Sequence, residues 1–285
     1  MIGIVDVGGG LRGIFGAGVL DYCMEEGIRF DYCIGVSAGS ANVTSYAAHQ
    51  PGRNYHYYIE YSFRKAYMSF ENFVKKGSYL DLDYIYSTLY NADGENPLDY
   101  PALKASGLPI RIVATSAIKG EAVYFTQDML KQDSYHVIKA SCSLPIVNRP
   151  YVIDGVPYYD GGLSDPIPFQ KAFQDGCDRV IVILTKPIDF YRDDRLERFL
   201  SRFIQKRYPG AAALLSRRNA LYREELKQLQ QFVQLSKAMI VAPKSIYEMG
   251  TLTKDKKILH QLYEDAREAA KAIPAFVDRI AVSKE

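Results

Sequence analysis

Tyr32-Cys33-Ile34-Gly35-Val36-Ser37-Ala38-Gly39-Ser40-Ala41 reads as an apolar strand that turns abruptly into a helix of small residues. Within it, Gly35-Val36-Ser37-Ala38-Gly39 satisfies G-x-S-x-G. A nucleophilic serine needs this shape because its hydroxyl must project from a tight strand-to-helix turn. The flanking glycines let neighbouring backbone approach without a Cβ clash. A helix that starts just after Ser37 also sets its N-terminal dipole beneath a developing oxyanion.

Upstream, Ile2-Gly3-Ile4-Val5-Asp6-Val7 reads as a buried strand running into Gly8-Gly9-Gly10-Leu11-Arg12-Gly13. An apolar helix follows, ending near Glu26 with Gly27 as its stop. Strand, loop, helix, strand, turn and helix within the first 50 residues make a βαβ unit, hence parallel pairing and an α/β fold. Leu108–Ile118 and Ala122–Phe125, separated by the turn at Lys119-Gly120, and Arg179–Leu184 read as further strands. The tyrosine-rich residues 50–107 read as helices and loops over the sheet. Asn91–Pro97 is an acidic loop whose glycine is misplaced for a calcium loop.

The chain has 285 residues, 48% hydrophobic and 24% charged, with 21 glycines, 13 prolines and no tryptophan. That profile describes a folded globular protein and excludes disordered, collagenous and coiled-coil classes. No stretch approaches the roughly 18 apolar residues of a membrane span. The N-terminus lacks the pattern of a signal peptide. Cys23, Cys33, Cys142 and Cys177 are scattered, and His49, His56, His136 and His260 lie far apart, so no metal site is expected. These features predict a cytoplasmic protein with reduced thiols and no cofactor.

The glycine loop admits two readings. Gly8, Gly10 and Gly13 fit G-x-G-x-x-G after a strand, the dinucleotide-binding fingerprint. That reading needs an acidic residue closing the second strand, and Asp31 precedes the strand instead. In the other reading, the N–H groups of Gly8, Gly9 and Gly10 face an anion beside Ser37, because parallel neighbours bring both loops to one carboxyl edge. As for a base, His260 is the sole histidine after residue 136 and sits in a lysine-rich tail, which argues against a triad. Asp160, in Tyr158-Tyr159-Asp160-Gly161-Gly162, is the better candidate, provided burial raises its affinity for a proton. An Asp-Gly pair is also a common turn, so a purely capping role stands beside the catalytic one.

G-G-G-x-R-G, G-x-S-x-G and D-G-G, in this order at positions 8, 35 and 160, resemble the patatin-like phospholipase family. Ala140–Pro145 and the Asp154-Gly155 hairpin before Asp160 extend the resemblance over roughly residues 1–190. It implies a three-layer α/β/α sandwich with a mostly parallel central sheet, and a Ser37–Asp160 dyad. The implied oxyanion hole is formed by Gly8, Gly9 and Gly10, with Arg12 steadying the loop or a substrate phosphate. Gly13, Gly35, Gly39, Gly161 and Gly162 complete the motifs. The implied activity is hydrolysis of lipid carboxylic esters through an acyl-enzyme, without metal or organic cofactor. A general carboxylesterase or thioesterase with a short acyl pocket, and a catalytically silent lipid-binding module, are the alternatives. Two positions depart from the family pattern: Val7 before the loop, and Asp165-Pro166 in place of asparagine-proline after D-G-G.

From about Arg192 the pattern becomes helical, and residues 191–285 are expected to form a helical extension packed on a hydrolase domain of residues 1–190. Charge divides at this boundary: 16 basic and 21 acidic residues before it, 19 and 12 after it. In the 192–207 helix, Arg195, Arg198 and Arg202 oppose Leu196, Phe199 and Phe203. This basic face reads either as the solvated side of a packed helix or as a peripheral contact with an anionic inner membrane face. No nucleic-acid partner is expected. The tail resembles the helical C-terminal extension of a bacterial subset of patatin-like proteins.

Overall fold

The computed structural model describes residues 1–278; the expected extension's residues 279–285 lie outside the described residues. β1 (Ile2–Asp6) passes through the glycine loop into α1 (Ile14–Glu25), and β2 (Tyr32–Val36) turns into α2 (Ala38–Ala47). α3 (Arg53–Ile59), α4 (Phe70–Lys76) and α5 (Tyr100–Ser106) occupy the tyrosine-rich stretch. β3 (Ile110–Ser116), β4 (Ala122–Thr126), α6 (His136–Ser141), β5 (Tyr151–Ile153), β6 (Val156–Asp160), α7 (Phe169–Gln174) and β7 (Arg179–Ile183) follow. The remaining segment holds α8 (Arg195–Ile204), α9 (Pro209–Leu215), α10 (Arg218–Gln234), β8 (Ala238–Val241), α11 (Lys256–Ala270) and α12 (Ile273–Asp278).

The sheet runs β5-β6-β3-β2-β1-β7-β8, with β4 also paired to β3. β1 is parallel to β2 and β7, and β2–β3 and β7–β8 are parallel as well. β3, β4, β5 and β6 make the antiparallel pairs. Side chains alternate across the pleat, as a sheet covered on both faces requires. Ile4, Cys33, Ile181 and Ile183 join the core under α1, α2 and α11, while Val5, Ile34, Val180 and Val182 join the core under α7 and α10. The expected three-layer sandwich is present, with mostly parallel pairing around β1.

Register places the site. Asp6 pairs with Gly35, so the glycine loop and Ser37 emerge side by side at the carboxyl ends of β1 and β2. On β3, Ala114 pairs with Asp160 at the end of β6, which brings the aspartate to that same region.

The C-terminal segment is mainly helical and also contributes a strand that helical patterning did not announce. β8 follows a left-handed Ser236 (φ 57°) and pairs Ala238–Val241 with Val180–Ile183 of β7. Four residues are too few for a periodic signal, and the pairing partner lies more than 50 residues upstream. The ladder therefore crosses the 190/191 boundary. α11 also packs closely on α1, where a Cβ at Gly18 would lie 2.7 Å from the Tyr263 carbonyl.

α8 differs from a packed helix with a solvated basic face. Its inward residues are Glu197, Ser201 and Ile204, whereas Leu196, Phe199 and Phe203 are 51%, 54% and 69% exposed. Ile204 seats among Ala211, Ala212 and Leu215 of α9. Glu197 pairs with Arg192 at 3.3 Å, and Ser201 bonds back to the Arg198 carbonyl. These contacts fix the inward face and turn the aromatic one outward.

Candidate active site

Ser37 carries φ 55° and ψ −129°, a left-handed conformation that a residue with a side chain adopts only under constraint. The constraint is visible on every side. Its N–H donates to Ser141 Oγ (2.8 Å), which also bonds Ser40 Oγ (2.8 Å). A Cβ at Gly39 would sit 2.2 Å from the Asp6 carbonyl oxygen, so β1 and α2 meet only if that position is glycine. This sharp turn exposes the Ser37 side chain to a cavity of about 300 Å³ that Gly9, Asp160, Lys186, Arg218 and Thr251 also line.

Asp160 is almost wholly buried. Its N–H donates to the Ser143 carbonyl (2.8 Å), and its own carbonyl accepts from Thr115 Oγ1 (2.8 Å). Asp160 Oδ1 accepts the Gly162 N–H (2.8 Å) and caps the short 3-10 turn Gly161–Leu163. The capping role is thus real, and it uses one oxygen. Oδ2 is buried with no hydrogen-bond partner among the described residues. Desolvation pushes the Asp160 pKa above the usual carboxylate range, against Arg218, the Ser37 hydroxyl and the Gly162 N–H, which favour the charged form. The Ser37 hydroxyl also acts on the buried Cys142 thiol, whose sulfur lies 3.2 Å from the Tyr86 hydroxyl.

The glycine loop is arranged differently from a row of three free donors. Gly8 donates its N–H to Asp6 Oδ1 (2.9 Å), so that group is already taken. Among the described residues no acceptor takes the N–H of Gly9 or Gly10. All three have positive φ (63°, 131°, 62°), and a Cβ at Gly8 would lie 2.1 Å from the Val36 carbonyl oxygen. The run is therefore required by conformation and by close approach to β2. Arg12 is buried, and its guanidinium donates to the Met249 carbonyl (3.2 Å) and Thr251 Oγ1 (3.4 Å). Leu11 N–H meets the Thr251 carbonyl at 2.8 Å, so the C-terminal segment buttresses the loop.

Several contributors were not singled out in the sequence. Asp6 accepts from Asn42 Nδ2 (2.8 Å) as well as from Gly8, and burial raises its pKa to about 6. Asn42 also donates to the Gly13 carbonyl (2.8 Å) and so locks loop to helix. The signal for Asp6 was present: an acidic residue closing an apolar strand two positions before a glycine is an Asx-turn pattern. Thr185 donates to the Gly8 carbonyl from the end of β7. Gly13 packs against the Tyr58 hydroxyl and Ala38, and Gly161 against the Val113 backbone. The divergent Asp165 accepts from the Tyr124 hydroxyl, and burial lifts it to about 6.

His260 lies far from this region, bonded to Tyr55 on the α3–α11 side, and no histidine among the described residues lines the cavity. No group of three or more His, Cys, Asp or Glu among them is placed to hold a metal. The four cysteines are free thiols, and all are buried. No described helix is long and apolar enough to cross a membrane.

Residues 7–173 match the model of the patatin-like phospholipase family, and residues 208–279 match a domain family of unknown function, DUF6363. The chain is similar to uncharacterized protein YjjU of Escherichia coli K12, at 28% identity over 250 residues. That alignment takes in 82% of this chain and 64% of the relative, so the chain spans less than two thirds of that protein's length. It is also similar to the uncharacterized NTE family protein Rv1063c of Mycobacterium tuberculosis, 30% identical over 82 residues, covering 29% of this chain and 22% of that one. VipD from Legionella pneumophila aligns in three dimensions with a TM-score of 0.48 at 14% identity, over 97% of this chain and 66% of that one.

Proposed function

The chain belongs to the patatin-like phospholipase family, and on that premise we propose that it hydrolyses lipid carboxylic esters with Ser37 as nucleophile and Asp160 as base. The observation that carries this reading is the placement of a strained, cavity-facing Ser37 and a buried Asp160, whose Oδ2 has no acceptor role among the described residues, on one cavity. Asp160 takes the hydroxyl proton as Ser37 attacks the ester carbonyl carbon. The N–H groups of Gly9 and Gly10 receive the oxyanion, with Gly8 held by Asp6 so that the loop keeps its shape. Collapse expels the alcohol, which takes the proton from Asp160, and leaves an acyl-Ser37. Water, deprotonated by Asp160, then releases the acid. The Ser37 hydroxyl already favours the charged form of Asp160, and catalytic contacts of this kind tighten when substrate expels water.

The test is a series of p-nitrophenyl esters from four to sixteen carbons, alongside a diacyl phospholipid. A kcat/KM that climbs to medium or long chains, with phospholipid cleavage, supports the lipid reading. A maximum at four carbons with no phospholipid cleavage favours the short-pocket esterase, for which the modest cavity speaks. No turnover of any ester points to a silent binding module.

The outward face of α8 suits an anionic lipid surface as its occupant. Leu196, Phe199 and Phe203 form an exposed apolar strip, Phe199 and Phe203 stack edge-to-face at 5.3 Å, and exposed Arg195, Arg198 and Arg202 run beside it. The inward Glu197 of the same helix lines the Ser37 cavity, so α8 has one face on the cavity and the other free for lipid. In flotation assays the protein should bind phosphatidylglycerol vesicles in preference to phosphatidylcholine. Since each basic residue near such a surface is worth about 1 kcal/mol, Arg198→Gln with Arg202→Gln should weaken partitioning about 30-fold. Equal binding to both vesicle types would refute this role for α8.

A further inference from the structure

One wall of the Ser37 cavity is built by residues outside the matched family domain, and it is cationic. Lys186 follows β7, and Arg218 opens α10. Asp194 fixes that helix start by accepting the N–H groups of Asn219 (2.7 Å) and Ala220 (3.1 Å). Arg218 reaches the D-G-G turn, because a Cβ at Gly162 would lie 3.8 Å from Arg218 Nη2. The Lys186 ammonium lies over aromatic faces, 4.5 Å from the Tyr222 ring centroid and 5.5 Å from that of Phe190.

Neither cation forms an ion pair with a carboxylate among the described residues, although Arg218 favours the charged form of Asp160 through space. The nearby acids are committed or remote from this role: Glu197 pairs with Arg192, Asp160 is reserved for the serine, and Glu248 is exposed on the rim. Arg12, the remaining cation, donates both terminal nitrogens of its guanidinium to Met249 and Thr251. Burial together with Arg218, Arg12 and Arg192 lowers the Lys186 pKa to about 7, and Glu197 opposes that shift only weakly. Like charges crowded in a half-desolvated pocket disfavour one another, and a bound anion reverses the sign of that interaction.

We propose that Lys186 and Arg218 form an anion subsite beside Ser37 that takes the phosphate group of an anionic lipid ester. It rests on the acyl-hydrolase reading for its purpose, but its occupancy is measurable without turnover. The subsite gives the C-terminal segment a direct part in substrate selection: the matched family domain supplies the serine and its base, and the residues after it supply the charge that chooses the ester.

Two experiments test it. In calorimetric titrations of Ser37→Ala protein, hexyl phosphate should bind at least 10-fold more weakly when Lys186→Met or Arg218→Met is added, with hexanol as the uncharged control. Inorganic phosphate distinguishes the source. Binding of hexyl phosphate well above inorganic phosphate marks a lipid headgroup, and equal binding marks free phosphate at the same residues. Absence of hexyl phosphate binding, or binding unchanged in folded variants, overturns the subsite.

In turnover, kcat/KM for phosphatidic acid relative to diacylglycerol of the same acyl chains should fall at least 10-fold in either variant, through KM. Should Arg218 serve only to support Asp160, Arg218→Met would instead slow both substrates equally and displace the acid limb of the pH profile. That pattern also overturns the subsite. If the protein hydrolyses no ester yet hexyl phosphate binding depends on both cations, the acyl-hydrolase reading fails while the subsite stands.

Discussion

Ser37→Ala should lower kcat on every hydrolysed ester by at least about 10⁴-fold, because the attacking oxygen is gone and no neighbouring group replaces it. Cys142 is a neighbouring thiol, but burial pushes it well above the ordinary range, so it stays protonated and inert. The loss should appear in kcat with KM little changed, since the cavity wall is otherwise intact. The same position carries a second expectation. With φ at 55°, Ser37 holds a conformation suited to glycine, worth about 1 kcal/mol or more of strain. Ser37→Gly should therefore be as inactive as Ser37→Ala and unfold at a higher temperature. Scanning calorimetry on the two variants checks this, and a glycine variant no more stable than the alanine one would contradict a strained turn.

Asp160→Asn should cost about 10²–10⁴-fold in kcat, the range for loss of a positioned general base. The amide keeps the size of the side chain, and its oxygen can still accept the Gly162 N–H, so the 3-10 turn after β6 survives. Two pH dependences follow from the raised Asp160 pKa, and they run in opposite directions. Activity needs the carboxylate, so the acid limb of kcat/KM should lie above the ordinary 3.8 and vanish in Asp160→Asn. Stability prefers the neutral acid. A carboxyl whose folded pKa is raised contributes stability that is fully present below the unfolded value of 3.8, and loses it as pH rises through the folded value. Above that folded value the wild type carries a buried charge that the asparagine variant lacks. Asp160→Asn should unfold at an equal or higher temperature there, with the gap closing towards pH 4. A variant that is both inactive and markedly less stable at pH 8 would mean that Asp160 is chiefly a structural cap.

Local chemistry made the front of the site legible. β2 spans Tyr32–Val36 as its apolar run suggests, and Ser37 sits on the expected strand-to-helix turn because glycine at 35 and 39 permits the close approach. The order of the three motifs was also enough to place Asp160 near Ser37, although no periodicity predicts that β6 pairs with β3. What stayed hidden depends on tertiary structure. Asp6 takes the Gly8 N–H because a buried carboxylate at the end of β1 needs a donor, so of the expected row of three donors only Gly9 and Gly10 keep an untaken N–H among the described residues. Lys186 and Arg218 stand 32 positions apart in stretches that look like ordinary solvated surface, and only the packing of α10 on the sheet brings them to one cavity. α8 misled for the opposite reason. Its apolar residues have helical spacing, but the helix is held by Glu197, Ser201 and Ile204, so a regular pattern points outward.

In the proposed mechanism Asp160 activates Ser37 for covalent attack. The most direct measurement is labelling of the folded protein with a fluorophosphonate, read by mass spectrometry of the peptide containing Ser37, in wild type, Ser37→Ala and Asp160→Asn. The dyad predicts one stoichiometric adduct on Ser37 in the wild type, none in Ser37→Ala, and labelling slowed at least 10²-fold in Asp160→Asn. A folded wild type that takes no label, or an Asp160→Asn protein that labels at the wild-type rate, would contradict it.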